Sequence, residues 1–246
     1  WTYNSDNVSM MPAIITTVEM TLLALLLAVP FGLFTAVYLN EYASRGNKLV
    51  NIIRITTETL SGIPSIVYGL FGMLFFVTQL HWGYSLLAGA MTLAIMILPL
   101  IMRTAEEALI SVPDTYREGS FGLGAGRLRT VFRIVLPSAM PGILSGIILA
   151  IGRIVGETAA LIFTAGSAPA RLNFGSLNLL SPTNPFNIFR PACSLAVYIW
   201  RLTSEPTEGS TEIVWGTATV LLVCVLLFNV LARLLGKFLS RRLTAE

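Results

Sequence analysis

The sequence predicts an all-α protein, a single bundle of helices that crosses a lipid bilayer several times. Composition is the first reason, because 54% of the 246 residues are hydrophobic and only 12% are charged, with a mean hydropathy of +0.75. Soluble domains carry about 25% charged residues, so this chain cannot cover a surface that faces water. The long apolar segments are the second reason, because they lack the strict alternation of a membrane-spanning strand.

Five segments are long and apolar enough to cross a membrane, which takes about 20 residues in a helix. They cover residues 14–39, 60–80, 84–102, 141–165 and 213–232. Pro30, Pro64 and Pro99 lie within them, and membrane helices tolerate proline where neighbouring groups satisfy the freed carbonyls. We therefore predict that residues 1–246 form one membrane domain with about five spans.

The distribution of Lys and Arg predicts the orientation, because these residues concentrate in cytoplasmic loops. Twelve of the 16 follow the first, third and fifth segments, and three lie on the opposite side. We therefore predict an external N-terminus, a cytoplasmic C-terminus and a long external loop over residues 166–212. Within that loop, residues 192–200 are apolar but too few to span, and we expect an amphipathic piece on the external face that covers the bundle or contacts an external partner.

The segment 111–137, between the third and fourth spans, predicts a cytoplasmic hairpin of two short helices. Asp114 stands where it can cap a helix over residues 115–123, and Gly124 and Gly126 can end that helix and turn the chain. A second helix is predicted over 128–135, before prolines that lead into the fourth span. The hairpin carries both charged and apolar positions, so it is suited to fit a groove on another protein.

The spacing in this hairpin resembles the signature of the permeases of ATP-binding-cassette importers, in which Glu-Ala-Ala is followed after three residues by Gly and after nine more by Ile-x-Leu-Pro. The matching residues are Glu118, Gly119, Ser120, Gly124, Ile134, Leu136 and Pro137. Two alanines of the signature are replaced by Gly119 and Ser120, which weakens the helix by about 1 kcal/mol at the glycine. The resemblance implies that this segment is the coupling helix that docks on a separate ATPase subunit.

Further stretches are similar to the PstA-like family of phosphate-uptake permeases, at residues 36–42, 62–70, 101–106 and 151–159. This resemblance implies the transmembrane domain of a type I importer in a bacterial or archaeal cytoplasmic membrane. It also implies a homologous permease subunit, two cytoplasmic ATP-binding subunits and an external phosphate-binding protein as partners. Members of the family usually have six spans, which leaves room for one span before residue 1.

The cargo stays open at this point, because the coupling signature is shared by importers of many solutes. Sulfate, molybdate, a metal chelate or an amino acid is the alternative to phosphate within the same class. A membrane anchor without transport activity or an intramembrane enzyme is the alternative from another class. An anchor needs neither a coupling helix nor charges inside the membrane, and an enzyme needs a nucleophile and a base inside the bundle, whereas the single histidine, His81, lies at a loop.

Arg153 and Glu157 are charged residues within the fourth predicted span, and we expect them to line the substrate pathway. A charge in lipid costs about 2.5–3.5 kcal/mol, so such residues normally face a bundle interior or a watery cavity and pair with each other. They are four positions apart, which places them on one face of a continuous helix. The fork of a guanidinium suits phosphate oxygens, and Glu157 could hold Arg153 while the site is empty or accept a hydrogen from protonated phosphate. The alternative is a structural ion pair.

Four glycines on the fourth span form two small-xxx-small pairs, which permit close approach by a neighbouring helix. They are Gly142, Gly146, Gly152 and Gly156. We therefore predict that their role is helix packing.

Several chemistries lack their residues in this sequence. The chain has no Gly-x-x-x-x-Gly-Lys-Ser/Thr loop, so ATP hydrolysis is assigned to a separate subunit. It also has no His-Glu-x-x-His and no paired catalytic carboxylates, and its one histidine and two distant cysteines cannot form a metal cluster or a disulfide framework. We expect a transport subunit without enzyme activity, metal or cofactor. Membrane orientation explains the basic loops without a nucleic-acid partner.

Overall fold

The computed structural model describes residues 10–43, 47–169, 172–175, 181, 183–206 and 210–244, and every regular element within them is helical. The helices are α1 (Met11–Val37), α2 (Lys48–Ser61), α3 (Ser65–Gly72), α4 (Leu86–Ile110), α5 (Asp114–Gly122), α6 (Arg127–Thr130), α7 (Leu136–Val155), α8 (Ala159–Thr164), α9 (Leu195–Ser204) and α10 (Ser210–Thr244). Short π-helical segments follow α1, α3 and α6 without a break, at Tyr38–Tyr42, Met73–Gln79 and Val131–Val135. The predicted all-α class is confirmed.

Within these described residues, four helical segments are long and apolar enough to cross a membrane. They are Met11–Tyr42, Leu86–Ile110, Arg127–Val155 and Ser210–Leu234. The pair Lys48–Ser61 and Ser65–Gln79 passes the same test when taken together and would give a fifth span. These segments overlap the five predicted ones, so composition and apolar length located the spans. Their boundaries differ, most of all in the second and fourth spans, and the third continues to Ile110 rather than 102.

The second predicted span, residues 60–80, is not one helix. It is interrupted at 62–64, where Gly62 ends α2 and Pro64 directly precedes α3. A proline disfavours the helical conformation of the residue before it, which explains the break after Gly62. The charged residues before this point, predicted as a loop, form the amphipathic helix α2 instead.

The fourth predicted span, residues 141–165, begins earlier and ends earlier than expected. The helical path starts with α6 and continues into α7, so Pro137 lies in the first turn of α7 and Pro141 inside it. Before Pro137 the path widens into a π segment, in which the Leu136 N–H donates to the Val131 carbonyl. A local π adjustment of this kind lets a helix continue through a proline, which has no N–H to donate. The helix ends at Val155, and residues 156–158 are not helical.

The chain packs as two compact units. One is drawn from the residues up to Leu27, from Ile63–Met96 and from Gly152–Leu226, and it contains α3, α8 and α9. In this unit α3 lies directly on α8, because a Cβ added to Gly69 would stand 2.8 Å from the Ala160 Cα. Glycine therefore permits a backbone approach that no larger residue allows.

The other unit comprises Ala28–Gly62, Ile97–Ile151 and the residues from Leu227 onward, and it contains α2, α5 and α6. Its core is a cluster of buried apolar side chains from the end of α1 and the π segment after it, from α2 and α4, and from the helical path of α6 and α7. Members of this cluster include Leu39, Val50, Leu109, Val131, Val135 and Ile143. The cluster fixes the base from which the hairpin of α5 and α6 projects.

The loop that follows α8 is anchored in the first unit through Arg190, whose exposed fraction is 1%. Its guanidinium pairs with Glu19 of α1 and donates to the Thr16 Oγ1 at 3.3 Å and to the Pro185 carbonyl at 3.2 Å. The Leu195 N–H donates to the Thr17 Oγ1 at 2.9 Å. Parts of the predicted loop, at 170–171, 176–180, 182 and 207–209, lie outside the described residues.

The predicted loop contains a short amphipathic helix, α9. It runs over Leu195–Ser204 rather than 192–200, and Leu195, Val197 and Tyr198 are buried. The apolar side chains of this helix pack into the unit, whereas Trp200 and Thr203 are exposed, and its place on the external face stays a prediction. Covering the bundle, one of the two predicted roles, agrees with this packing.

Replacing Arg190 with Leu is expected to destabilise the packing of the loop against α1, because Glu19 would lose its buried partner. Removing one member of a buried pair costs about 3–5 kcal/mol. Thermal unfolding of the purified protein in detergent, together with limited proteolysis of the loop, measures the effect. The matched control is Arg201→Leu, since Arg201 and the largely exposed Glu205 are 3.9 Å apart, and such pairs contribute about 0–1 kcal/mol. Equal losses in the two variants would contradict the assignment.

Candidate functional site

The predicted hairpin of two short helices is present, with α5 and α6 as its arms. Gly124 lies in the turn with a φ of +81°, in the left-handed region that favours glycine. The Ser120 and Thr130 hydroxyls are 2.8 Å apart and buried, and this hydrogen bond joins the two arms. The start of α5 differs from the prediction, because Asp114 is its first residue and makes no capping bond to the backbone. Asp114 instead accepts a hydrogen bond from Arg117 at 3.1 Å.

The residues that match the coupling signature divide into an exposed group and a packed group. Glu118, Gly119 and Gly124 are exposed at the surface of the hairpin. By contrast, Ser120 and Pro137 are buried, and Ile134 and Leu136 are half-buried. The exposed group is accessible to a partner protein, whereas the packed group shapes the hairpin and joins it to α7.

Several of the apolar positions that the sequence places on the hairpin are exposed. The largest exposure is that of Leu123, at 91%, directly before the Gly124 turn. Other exposed apolar or aromatic residues on the hairpin are Tyr116, Phe121, Leu128 and Phe132. Clustered exposed apolar residues mark protein interaction sites. The available signal was the placement of large apolar residues in short helices that are otherwise polar.

Arg153 and Glu157 do not share one helix face, contrary to the sequence prediction. Arg153 lies in the last turn of α7, whereas Glu157 follows the end of that helix. The Glu157 Oε1 accepts a hydrogen bond from the Ala160 N–H at 3.2 Å, so this carboxylate supports the start of α8. Within the described part of the chain, Arg153 makes no ion pair with Glu157. The structural ion pair between them, which was the alternative, is therefore not formed.

The Arg153 guanidinium is half-buried and lies in the unit that contains α3. A guanidinium whose charge is not neutralised by a carboxylate keeps its fork of N–H donors for another acceptor. This arrangement can bind an oxyanion, whose oxygens match the spacing of the fork.

The four predicted packing glycines differ in their surroundings. A Cβ on Gly142 would stand 2.7 Å from the Ala108 Cβ, and one on Gly146 would overlap the Thr104 side chain, so α7 and α4 approach closely at both positions. A Cβ on Gly152 would meet no atom within 4 Å among the described residues, and one on Gly156 only the Gly152 carbonyl at 3.5 Å. Packing by Gly152 and Gly156 stays a prediction for contacts beyond this chain.

Replacing Gly146 with Ala is expected to destabilise the protein by about 1–3 kcal/mol, because the added methyl group forces α7 away from α4. The matched control on the same helix is Gly152→Ala, where the space is open and alanine improves helix propensity by up to about 1 kcal/mol. Thermal unfolding in detergent should lower the midpoint for the first variant and leave or raise it for the second. A Gly146→Ala protein as stable as the parent would contradict the close approach.

Comparison with known proteins connects this architecture to a family. A family model described as binding-protein-dependent transport system inner membrane component matches residues 28–245. The probable ABC transporter permease protein YqgI of Bacillus subtilis (strain 168) is 45% identical over 225 residues, which cover 91% of this chain and 76% of that protein. The phosphate transport system permease protein PstA 1 of Mycobacterium tuberculosis (strain CDC 1551 / Oshkosh) is 37% identical over 220 residues, covering 89% of this chain and 67% of that protein.

Solved structures of ABC transporters have a similar fold. The inward-facing MetNI methionine ABC transporter aligns with a TM-score of 0.62 at 17% identity, covering 95% of this chain and 93% of that chain. A bacterial ABC transporter involved in the import of the acidic polysaccharide alginate aligns with a TM-score of 0.58 at 17% identity, covering 94% and 79%. At this identity the likeness concerns the fold alone, and it agrees with the predicted transmembrane domain.

Proposed function

The chain belongs to the family of binding-protein-dependent transport system inner membrane components, and from that membership we propose that it is the permease subunit of an ATP-driven importer of phosphate. Membership of this family means that the chain is a multi-pass membrane permease and a transport subunit of an ABC importer. The cargo, the individual partners and the orientation of the termini are the proposed part.

Phosphate is the cargo that the similarity supports best. Relatives named as phosphate transport system permease protein PstA are 35–37% identical over about nine-tenths of this chain. The observation that carries the proposal within the structure is the half-buried Arg153, whose guanidinium forms no ion pair with Glu157. Such a guanidinium can donate two parallel hydrogen bonds to phosphate.

Glu157 supplies a means of selecting phosphate over sulfate. One of its oxygens accepts the Ala160 N–H, which holds the carboxylate in place. The second oxygen can accept a hydrogen from a protonated phosphate, whereas sulfate has no such hydrogen at neutral pH. A site built to accept a hydrogen rejects an analogue that lacks one, because its buried acceptor is left unpaired.

The partners follow from the family and from the exposed hairpin. ATP-binding subunits, two in the assembled importer, dock on the exposed side of α5 and α6, including Glu118, Gly119 and Gly124. A homologous second permease forms the pathway with this chain, and an external phosphate-binding protein delivers the cargo. The termini have the orientation that the Lys and Arg distribution predicts, with the C-terminus in the cytoplasm.

The test is uptake of radiolabelled phosphate by the assembled complex in proteoliposomes, with its second permease, its ATPase subunits, its binding protein and ATP. We expect uptake that depends on ATP and that excess unlabelled phosphate abolishes, whereas excess sulfate leaves it nearly unchanged. If sulfate inhibits the uptake of labelled phosphate as strongly as unlabelled phosphate does, the cargo is an oxyanion in general rather than phosphate. ATP-dependent uptake of another solute without phosphate uptake would overturn it.

A further inference from the structure

Arg117 of α5 uses every hydrogen-bond donor that it has. A guanidinium carries five N–H groups. Its Nε donates to the Glu41 Oε2 at 3.3 Å and its Nη2 to the Glu41 Oε1 at 2.7 Å, which makes a bidentate pair. The remaining donors bind the Leu109 carbonyl at 3.0 Å, the Val112 carbonyl at 2.8 Å and the Asp114 Oδ1 at 3.1 Å. This side chain is therefore held in one geometry.

These bonds join three separate parts of the chain. Glu41 lies in the π segment at the end of α1, Leu109 lies in the last turn of α4, and Arg117 belongs to the coupling hairpin. The exposed fractions of the Arg117 and Glu41 side chains are 15% and 8%, so the pair is largely removed from water. The hydrogen bonds and charge of Glu41 raise the pKa of the Arg117 guanidinium above its ordinary value.

The end of α1 is shaped for this contact. Residues Tyr38–Tyr42 form a π segment in which the Ala43 N–H donates to the Tyr38 carbonyl at 3.0 Å, and such segments occur frequently at functional sites. The Asn40 side chain donates to the Glu41 Oε1 at 2.8 Å and so orients the carboxylate. On the other arm of the hairpin, the Arg127 guanidinium lies 5.9 Å from the centre of the Tyr42 ring. Both arms therefore hold the same short segment.

We propose that Arg117 is a positioning residue that transmits displacement of the coupling hairpin to α1 through Glu41. The pair is bidentate, desolvated and saturated, so a movement of α5 either carries the end of α1 with it or breaks several charge-assisted bonds at once. Leu123 and the exposed residues of the same hairpin receive the force from the ATPase, and the Glu41–Arg117 pair delivers it to a membrane span. This inference rests on the proposed function, in which an ATPase subunit docks on the hairpin.

The decisive variant is Glu41→Gln, which keeps the shape of the side chain and one acceptor but removes the charge and the bidentate pair. The matched control is Glu107→Gln, which removes an exposed ion pair with Arg103 inside the single helix α4 and joins no two elements. Arg117→Lys tests the fork separately, since lysine restores the charge without the planar geometry. Copurification of the ATPase subunits shows that each variant assembles.

The first readout does not depend on the cargo. A spin label at the exposed Tyr38, in a background without the native cysteines, reports movement of the end of α1 when ATP binds to the assembled complex. We expect the ATP-induced change of the label in the Glu107→Gln protein and its loss in the Glu41→Gln protein. A change that persists in Glu41→Gln, or that is absent from the control as well, overturns the proposal.

The second readout is the amount of cargo transported for each ATP hydrolysed. Coupling free energies between sites correspond to roughly 5- to 150-fold effects, and we expect the ratio to fall by about that factor in Glu41→Gln and Arg117→Lys, with ATP hydrolysis retained. A merely structural role would lower assembly, hydrolysis and transport together and would leave the ratio unchanged. If the parent complex carries a solute other than phosphate, the cargo proposal fails, and the same ratio measured with that solute still decides the role of Arg117.

Discussion

Replacing Arg153 with Leu is expected to abolish phosphate uptake while the importer complex still assembles. The guanidinium is half-buried, forms no ion pair with Glu157, and can present a fork of donors to a phosphate ion. Charge-assisted hydrogen bonds of this kind are worth about 3 kcal/mol when the partner is left unpaired, which corresponds to a loss of roughly 100-fold or more. Radiolabelled phosphate uptake by proteoliposomes measures the effect.

Two further variants separate recognition from structure. Arg153→Lys keeps the charge but loses the planar fork, so we expect weakened uptake with a raised half-saturating phosphate concentration. Arg233→Leu also removes an arginine from a membrane-associated helix, but Arg233 is an exposed residue near the end of the α10 span, and its loss should leave uptake close to that of the parent.

Arg153 also stands in the last turn of α7, where a cation is favourable for the helix dipole. A purely structural role would therefore appear as lower thermal stability of about 0.3–1 kcal/mol, with uptake reduced only as far as the amount of folded complex is reduced. Phosphate uptake per folded complex therefore distinguishes a role of Arg153 in recognition from a purely structural role. Normal uptake by Arg153→Leu would reject a role in the pathway.

The sequence located the spans well because apolar length and the absence of charge are properties of single segments. It misplaced ends of the second and fourth spans because the effect of a proline depends on its surroundings. At Pro64 the helix has ended after Ser61, whereas Pro137 follows a π segment and stays within a helical path. The same residue type therefore breaks one helix and continues another, and residue type alone does not distinguish these outcomes.

The candidate site was predictable only where it depends on local spacing. The hairpin and its turn at Gly124 follow from neighbouring residues, and the coupling signature identified them. The bond between Glu41 and Arg117 joins positions 76 residues apart, and no local pattern indicates it. The helical relation of Arg153 and Glu157 was assumed from their spacing, and it failed because α7 ends at Val155.

Replacing Gly124 with Val is expected to uncouple ATP hydrolysis from transport or to prevent the ATPase subunits from binding. Gly124 has a φ of +81°, which a β-branched residue adopts only with strain, and the cost is about 1–3 kcal/mol. A Cβ at this position would meet no atom within 4 Å, so the effect comes from the backbone rather than from a clash within the described residues. The measurements are copurification of the ATPase, ATP hydrolysis and phosphate transported for each ATP, and we expect a fall of roughly 5- to 150-fold in the last of these.

Gly122→Val and Gly124→Asn together show how the turn acts. Gly122 is exposed and helical, and a Cβ there also meets no atom within 4 Å, so valine adds the same bulk without a positive φ. Asparagine at Gly124 adds a side chain of similar size but tolerates the left-handed conformation. If both of these variants couple ATP hydrolysis to transport and Gly124→Val does not, the ATPase recognises the conformation of the hairpin. Failure of Gly124→Asn as well would mean that the ATPase touches the surface of the turn itself, and full coupling in Gly124→Val would contradict a role for the turn in either sense.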